Sequence, residues 1–247
     1  MTGESRLALI QYGRADVSTA TPSRRTARSP AGQAGKQAGK QPPSGARAEA
    51  NRAAILDAAR NCFVAEGFDA NLDRVAEIAD VSKMTIYNHF GSKEALFTAV
   101  IDDALSEALD EAVTIVDTTL SESADLRSDL IAACRAWVAG IGTPEMVQLR
   151  NLVVGELRRF PQLGAEWSER GPQRFHPVIA AALRRLVRAK RLSIPDVELA
   201  VLQLSGLVVS PTLVYGGYGR PPSKRRTEQL IVDGVDMFLE HYAYRGP

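Results

Sequence analysis

The sequence predicts an all-α protein, and three observations carry that reading. After Arg47 the apolar residues recur three and four apart in every strongly patterned stretch. Glycine and proline fall between those stretches, and no run alternates apolar with polar as a half-buried strand would. About nine helices follow: three short ones that open the fold and longer ones that complete it.

The first helix is read from ARAEANRAAILDAARNCFVAEG, where Ile55, Ala59, Cys62 and Phe63 share one face and Gly67 stands where a helix best leaves its axis. Asn71 is a favourable N-cap for a short second helix with Leu72, Val75, Ala76 and Ala79 on its inner face. After Asp80 and Val81, Ser82 caps a third helix, SKMTIYNHF, whose inward side is Ile86 and Phe90. Gly91 ends it. Ser92 caps the fourth, with Glu94 in the first turn, where the helix dipole favours an acid. Beyond Ala95, helices are expected over 95–116, 124–141, 144–159, 173–190, 195–214 and 224–244, with Pro144 and Pro195 at or near first turns, where a missing N–H costs nothing. Phe160-Pro161, Gly171-Pro172 and GGYGRPPS read as loops.

The chain has 247 residues, 45% hydrophobic and 24% charged, enough apolar material for a core larger than one minimal domain. Its net charge of +1 hides a division. Residues 1–46 hold seven bases (Arg6, Arg14, Arg24, Arg25, Arg28, Lys36, Lys40) against two acids (Glu4, Asp16), which leaves 23 bases against 27 acids for the rest. A basic tail on a mildly acidic body makes any polyanion contact local and disfavours a ribosomal or histone-like protein. Residues 19–46, with the near repeat AGKQAGKQ, hold too little apolar surface to offset the entropy of ordering. The expected organisation is a disordered basic arm (1–46), a head of three helices (47–94) and a helical body (95–247).

Several classes are excluded or disfavoured. Cys62 and Cys134 belong to no disulfide or zinc spacing. The apolar run at residues 7–10 is too short for the core of an export signal, so a cytoplasmic location is expected. Residues 199–219 carry no charge and could span a bilayer by length, but Gln203, Ser205, Ser210, Pro211, Thr212 and four glycines dilute the run, so a buried or interface helix is expected and no membrane. No G-x-S-x-G, H-E-x-x-H or G-x-G-x-x-G occurs, and the three histidines are scattered, so no catalytic residue, metal or cofactor is expected.

A short helix, a three-to-four-residue turn and a second short helix form the unit that lays its second helix in the major groove. With Val81, Ile86 and Phe90 turned inward, Lys83, Met84, Thr85, Tyr87, Asn88 and His89 remain on or near the outer face, a mixture able to reach bases and phosphates. R-x-x-I-L-x-A-A at 52–59, Phe63, Gly67-Phe68 and VSKMTIYNHFGSKEALF at 81–97 resemble the signature of the TetR family of bacterial transcriptional regulators. The resemblance implies that Lys83, Met84, Thr85 and Asn88 approach base edges, and that Tyr87, His89 and Lys93 hold phosphates. Ser82 and Asn71 would assist at their helix N-termini. Two positions depart from the pattern: Asp80 stands where glycine is common, and Met84 replaces a usually smaller residue.

The same resemblance implies a homodimer clamped by the last two helices, through Leu199, Leu202, Leu207, Val208 and Val214 on one and Ile231, Val235, Phe238 and Leu239 on the other; these faces suit an intrachain core equally well. A pocket for a small apolar or amphipathic effector would draw on Trp137, Met146, Leu149, Phe160, Trp167, Phe175 and Tyr215, although large residues at helical spacing are more often core. The expected function is repression by a dimer on a palindromic operator, relieved by the effector. The rival is a helical adaptor that uses the helix-turn-helix for protein contact, and operator-specific binding separates the two.

Overall fold

In the computed structural model, residues 44–120 and 124–243 are described, so the expectation for the arm lies outside them except at its last residues. Eleven α-helices form among the described residues, and no strand does beyond one isolated bridge between Leu192 and Ala243. The head is α1 (Ala46–Glu66), α2 (Leu72–Ile78) and α3 (Lys83–Phe90). The body follows with α4 (Lys93–Ile115), α5 (Leu126–Ile141), α6 (Pro144–Glu156), α7 (Gln162–Arg170), α8 (Pro172–Arg188), α9 (Val197–Val208), α10 (Ser210–Gly217) and α11 (Lys224–His241).

Side-chain caps begin most of these helices: Asn71, Ser82, Ser92, Asp125, Thr143, Asp196 and Ser223 each accept a backbone N–H of the first turn. The helix count exceeds the expectation for two reasons. Helix α7 buries only Leu163 and so has almost no apolar stripe to betray it. The stretch expected as one helix over 195–214 breaks at Val209 into α9 and α10, bent by 49°, with Pro211 in the first turn of the second. Pro195 precedes α9 rather than opening it, because Asp196 is the cap. Helix α4 runs on into a π-helical turn, Val116–Leu120, which the sequence pattern did not indicate.

The core is continuous from head to body. Phe63, Phe68 and Phe97 form an edge-on aromatic cluster, with ring centres 5.0 Å apart for Phe63–Phe97 and 5.3 Å for Phe68–Phe97. Helices α4 and α5 cross where Gly140 lies against Ala108; a Cβ at Gly140 would stand 1.8 Å from the Ala108 carbonyl oxygen. Helices α9 and α11 meet more loosely at Gly234, whose added Cβ would stand 3.1 Å from Val208. Arg127 bridges to Asp236 through two hydrogen bonds, at 2.6 and 2.8 Å, and Arg135 pairs with Glu228, so α5 is tied to α11 along its outer edge. No single described helix is long and apolar enough to cross a membrane; α9 and α10 pass that test only when joined across their bend, and Ala200, Val201, Leu204 and Val208 are buried in the chain's own core.

Candidate nucleic-acid interface

The turn between α2 and α3 is fixed by backbone bonds. The Asp80 N–H donates to Glu77 O at 3.2 Å and the Val81 N–H to Ala76 O at 3.0 Å, the paired closure of a helix that ends in a left-handed residue. That residue is Asp80, at φ +51°, where glycine would sit without strain. Val81 tucks against the core and Ser82 restarts the chain as α3, its Oγ accepting the Thr85 N–H at 3.1 Å.

Only Ile86 of α3 is fully buried. Lys83, Met84, Tyr87 and Asn88 are exposed and occupy positions i, i+1, i+4 and i+5, which is one face of a helix. Met84 is 66% exposed and Tyr87 41%, so two large side chains present much of their surface to solvent. His89 is half-buried beside Phe90, and burial first, then the charge of Arg52, holds its imidazole below the ordinary histidine value. Lys93, on the first turn of α4, holds its ammonium 5.5 Å from the centre of the Phe68 ring.

Four of the expected contact residues have other engagements. Asn71 Oδ1 accepts the Asp73 N–H, leaving only its amide N–H groups for a partner. The hydroxyls of Ser82 and Thr85 are 2.8 Å apart and bond to each other. Lys83 donates to Asp73 at 3.0 Å, but both side chains are exposed, and a pair of that kind is worth roughly 0–1 kcal/mol, so the lysine is released at little cost. Arg52 is the residue that the sequence reading passed over. It was noted as part of a motif, yet its guanidinium lies 5.2 Å over Phe90 at the end of α3; the spacing R-x-x-I-L already placed it one turn ahead of the buried face of α1.

The head is joined to the body at the start of α6 and just past its end. Arg60 of α1 donates to Asp103 at 2.7 Å and Glu107 at 2.8 Å on α4, and its Nε lies 3.9 Å from Glu145 at the start of α6. At the far end, Arg159 bridges to Asp69 at 3.0 Å and Phe160 packs on Phe68 with ring centres 4.6 Å apart.

The residues expected to line an effector pocket divide into groups. Trp137 and Phe175 meet edge to face at 4.8 Å and border a small apolar void of about 10 Å³, together with Cys134, Leu204 and the π-helical residues Val116 and Leu120. Burial pushes the Cys134 thiol up to about 12, so it is a small apolar wall there. Met146 and Leu149 line a different cavity, of about 220 Å³, next to Arg60. Phe160 belongs to the head–body joint, Trp167 is half-buried on α7 against the core, and Tyr215 is exposed; none of these three borders either cavity. Of the expected dimer face, Val208, Ile231, Val235 and Phe238 are buried within the chain, whereas Leu199, Leu202 and Val214 stand exposed.

A capped three-helix head with one helix face left bare, continuous with a larger helical body, defines a helix-turn-helix DNA-binding regulator. Residues 55–100 match the family model of bacterial regulatory proteins of the tetR family, and residues 128–244 match that of the AefR-like transcriptional repressor C-terminal domain. The chain belongs to the TetR family of transcriptional regulators. It is 29% identical over 143 residues to the HTH-type transcriptional repressor Rv1474c of Mycobacterium tuberculosis, a match that covers 58% of this chain and 67% of that one. It is 36% identical over 118 residues to the HTH-type transcriptional activator FasR of Mycolicibacterium smegmatis, covering 47% and 49%. The matched stretches thus span between about half and two thirds of these curated relatives. Among solved structures, a protein assigned to the TetR family from Mesorhizobium loti superposes with a TM-score of 0.75 at 28% identity, over 81% of this chain and all of that one.

Proposed function

We propose that the protein is a transcriptional repressor that binds a palindromic operator as a homodimer and is released from it by a small apolar or amphipathic effector. The observation that carries this reading is the bare face of α3, where Met84, Tyr87 and Asn88 are held out on a helix whose every other side is committed to packing or capping. Base edges in the major groove offer methyl, donor and acceptor groups that suit these three side chains, and His89 and Lys93 flank them for phosphates. Repression is favoured over activation by the AefR-like repressor match across the body and by the mycobacterial repressor; FasR, named as an activator, is the contrary example.

Dimerisation is supported by the outer groove between α9 and α11. It is open, holds about 740 Å³ and is lined by Gln203, Gly206, Leu207, Met237 and Phe238 with Glu240, His241 and Tyr242 at its α11 end, and Leu202 and Leu199 are exposed farther along α9. A partly apolar groove with exposed leucines beside it, on helices already crossed in one chain, suits a four-helix interface.

The effector would enter at the void under Trp137 and Phe175. Its lining is wholly apolar, and at about 10 Å³ it has room for no effector until its walls move apart. The π-helical end of α4 forms one wall, and the other end of α4 carries the head. Opening the void therefore displaces the element on which α3 is mounted, and the α6 joint resists that displacement at both ends. An effector with higher affinity for the displaced state than for the operator-bound one shifts the population away from DNA. Selection of binding sites from random duplex DNA by the full-length protein at near-physiological salt tests the reading: a recovered palindrome bound by a dimer supports it, and the absence of any enriched sequence overturns it.

A further inference from the structure

We infer that Asp73, on the first turn of α2, is a specificity-determining residue: it neutralises the ammonium of Lys83 at the start of α3, so that this lysine serves base edges rather than phosphates at large. The inference rests on the DNA-binding reading of α3 and extends it to a positioning residue that acts through the lysine.

Elementary electrostatics brings the two side chains together. Lys83 is the first residue of α3, where free N–H groups make the helix end positive, and no acid stands in that turn to offset them. A cation is disfavoured there on its own helix. Asp73 is the second residue of α2, at an equally positive end that favours an acid, and its N–H is fixed by Asn71 Oδ1 at 2.9 Å. Lys83 Nζ donates to Asp73 Oδ2 at 3.0 Å, which sets the first turns of the two helices side by side. Arg74, the neighbouring cation on α2, pairs instead with Glu66 at 3.3 Å.

This pairing separates two kinds of contact. A hydrogen bond to the neutral O6 and N7 of guanine needs a donor, and an ammonium has three, so Lys83 can serve a base with Asp73 still attached. Attraction to a phosphate needs net charge, and Asp73 cancels it. Both side chains are exposed and the pair is weak, so its effect is a several-fold bias and not a block.

Glu77 supplies the comparison within the molecule. It lies four residues after Asp73 on the same face of α2, is exposed, and forms no ion pair among the described residues. Its charge repels phosphates as that of Asp73 does, without holding a cation.

Full-length protein is titrated with the selected duplex and with a scrambled one over a range of KCl concentrations. Asp73→Asn is expected to raise affinity for the scrambled duplex about 5-fold more than for the selected one. It is also expected to steepen the slope of log K against log salt on scrambled DNA by about 2 in a dimer, about 0.9 for each lysine set free. Glu77→Gln raises both affinities alike and leaves their ratio intact. Asp73→Glu keeps the carboxylate and with it the preference. In a Lys83→Gln background, Asp73→Asn no longer changes the ratio.

A ratio in Asp73→Asn equal to that of the parent overturns the inference. So does a change in ratio that survives in the Lys83→Gln background, because Asp73 would then act through something other than the lysine. A protein that selects no sequence fails the reading of α3, and the slope on scrambled DNA still decides the hold of Asp73 on Lys83: one no steeper than that of Glu77→Gln contradicts it.

Discussion

The head and the body are built from the same helices and caps, yet they leave opposite things uncovered. Phe63 and Phe68 of the head, with Phe97 of α4, form the aromatic cluster under the head, and α3 presents Met84 and Tyr87 to water. In the body, Trp137 and Phe175 border a small apolar void, and a groove stays open between α9 and α11. The head is a rigid mount for exposed chemistry. The body is a packed core with an open groove on its outside, and on the function proposed above the difference separates reading from responding.

The sharpest break in this comparison is Phe97→Ala. It removes the ring that touches both other aromatics and is expected to cost about 3–5 kcal/mol by urea unfolding, with DNA binding lost. Gly140→Ala strikes the body instead, where a Cβ 1.8 Å from the Ala108 carbonyl forces α4 and α5 apart. A cost of about 3 kcal/mol is expected, and a variant as stable as the parent would show that the crossing is looser than described.

A smaller effect should separate function from stability. Met84→Ala is expected to leave the unfolding free energy within ~0.5 kcal/mol of the parent, because the side chain touches little, while operator affinity falls by about 1–3 kcal/mol.

His89 gives a pH signature. Its depressed folded value means that the unfolded chain takes up the proton first below about 6.5, so free-protein stability falls there as pH is lowered. A phosphate beside the imidazole acts in the opposite direction and favours the charged form. Duplex affinity is therefore expected to rise from pH 8 towards pH 6, and His89→Gln to flatten that rise in a fluorescence titration. Smallest is Asp80→Gly: relief of the left-handed strain, less the entropy glycine brings, should stabilise the head by ~0.5 kcal/mol in thermal unfolding.

What was legible in the sequence follows the same division. Caps and glycines act within a few residues, so Gly67, Asn71, Ser82 and Ser92 marked the head's helices closely, and the inner face of α3 could be subtracted to leave its outer one. The bend at Val209 and the π turn at Val116–Leu120 depend on packing between helices distant in sequence and leave no local signal. The same is true of the grouping of Trp137 with Phe175 and of Met146 with Leu149, because spacing along a chain does not say which helices meet. Asp80 was the informative departure: a non-glycine residue at a left-handed position was readable as a strained turn before its φ was known.

The most direct test of the account compares the parent protein with Asn88→Ala on two duplexes, the selected site and a scrambled version, at near-physiological salt. The bare face of α3 predicts that the parent prefers its site by at least ~10³-fold and that Asn88→Ala loses much of this preference, with binding to scrambled DNA and thermal stability unchanged. Equal affinity of the parent for both duplexes, or an intact preference in the variant, would contradict the assignment of that face to reading DNA.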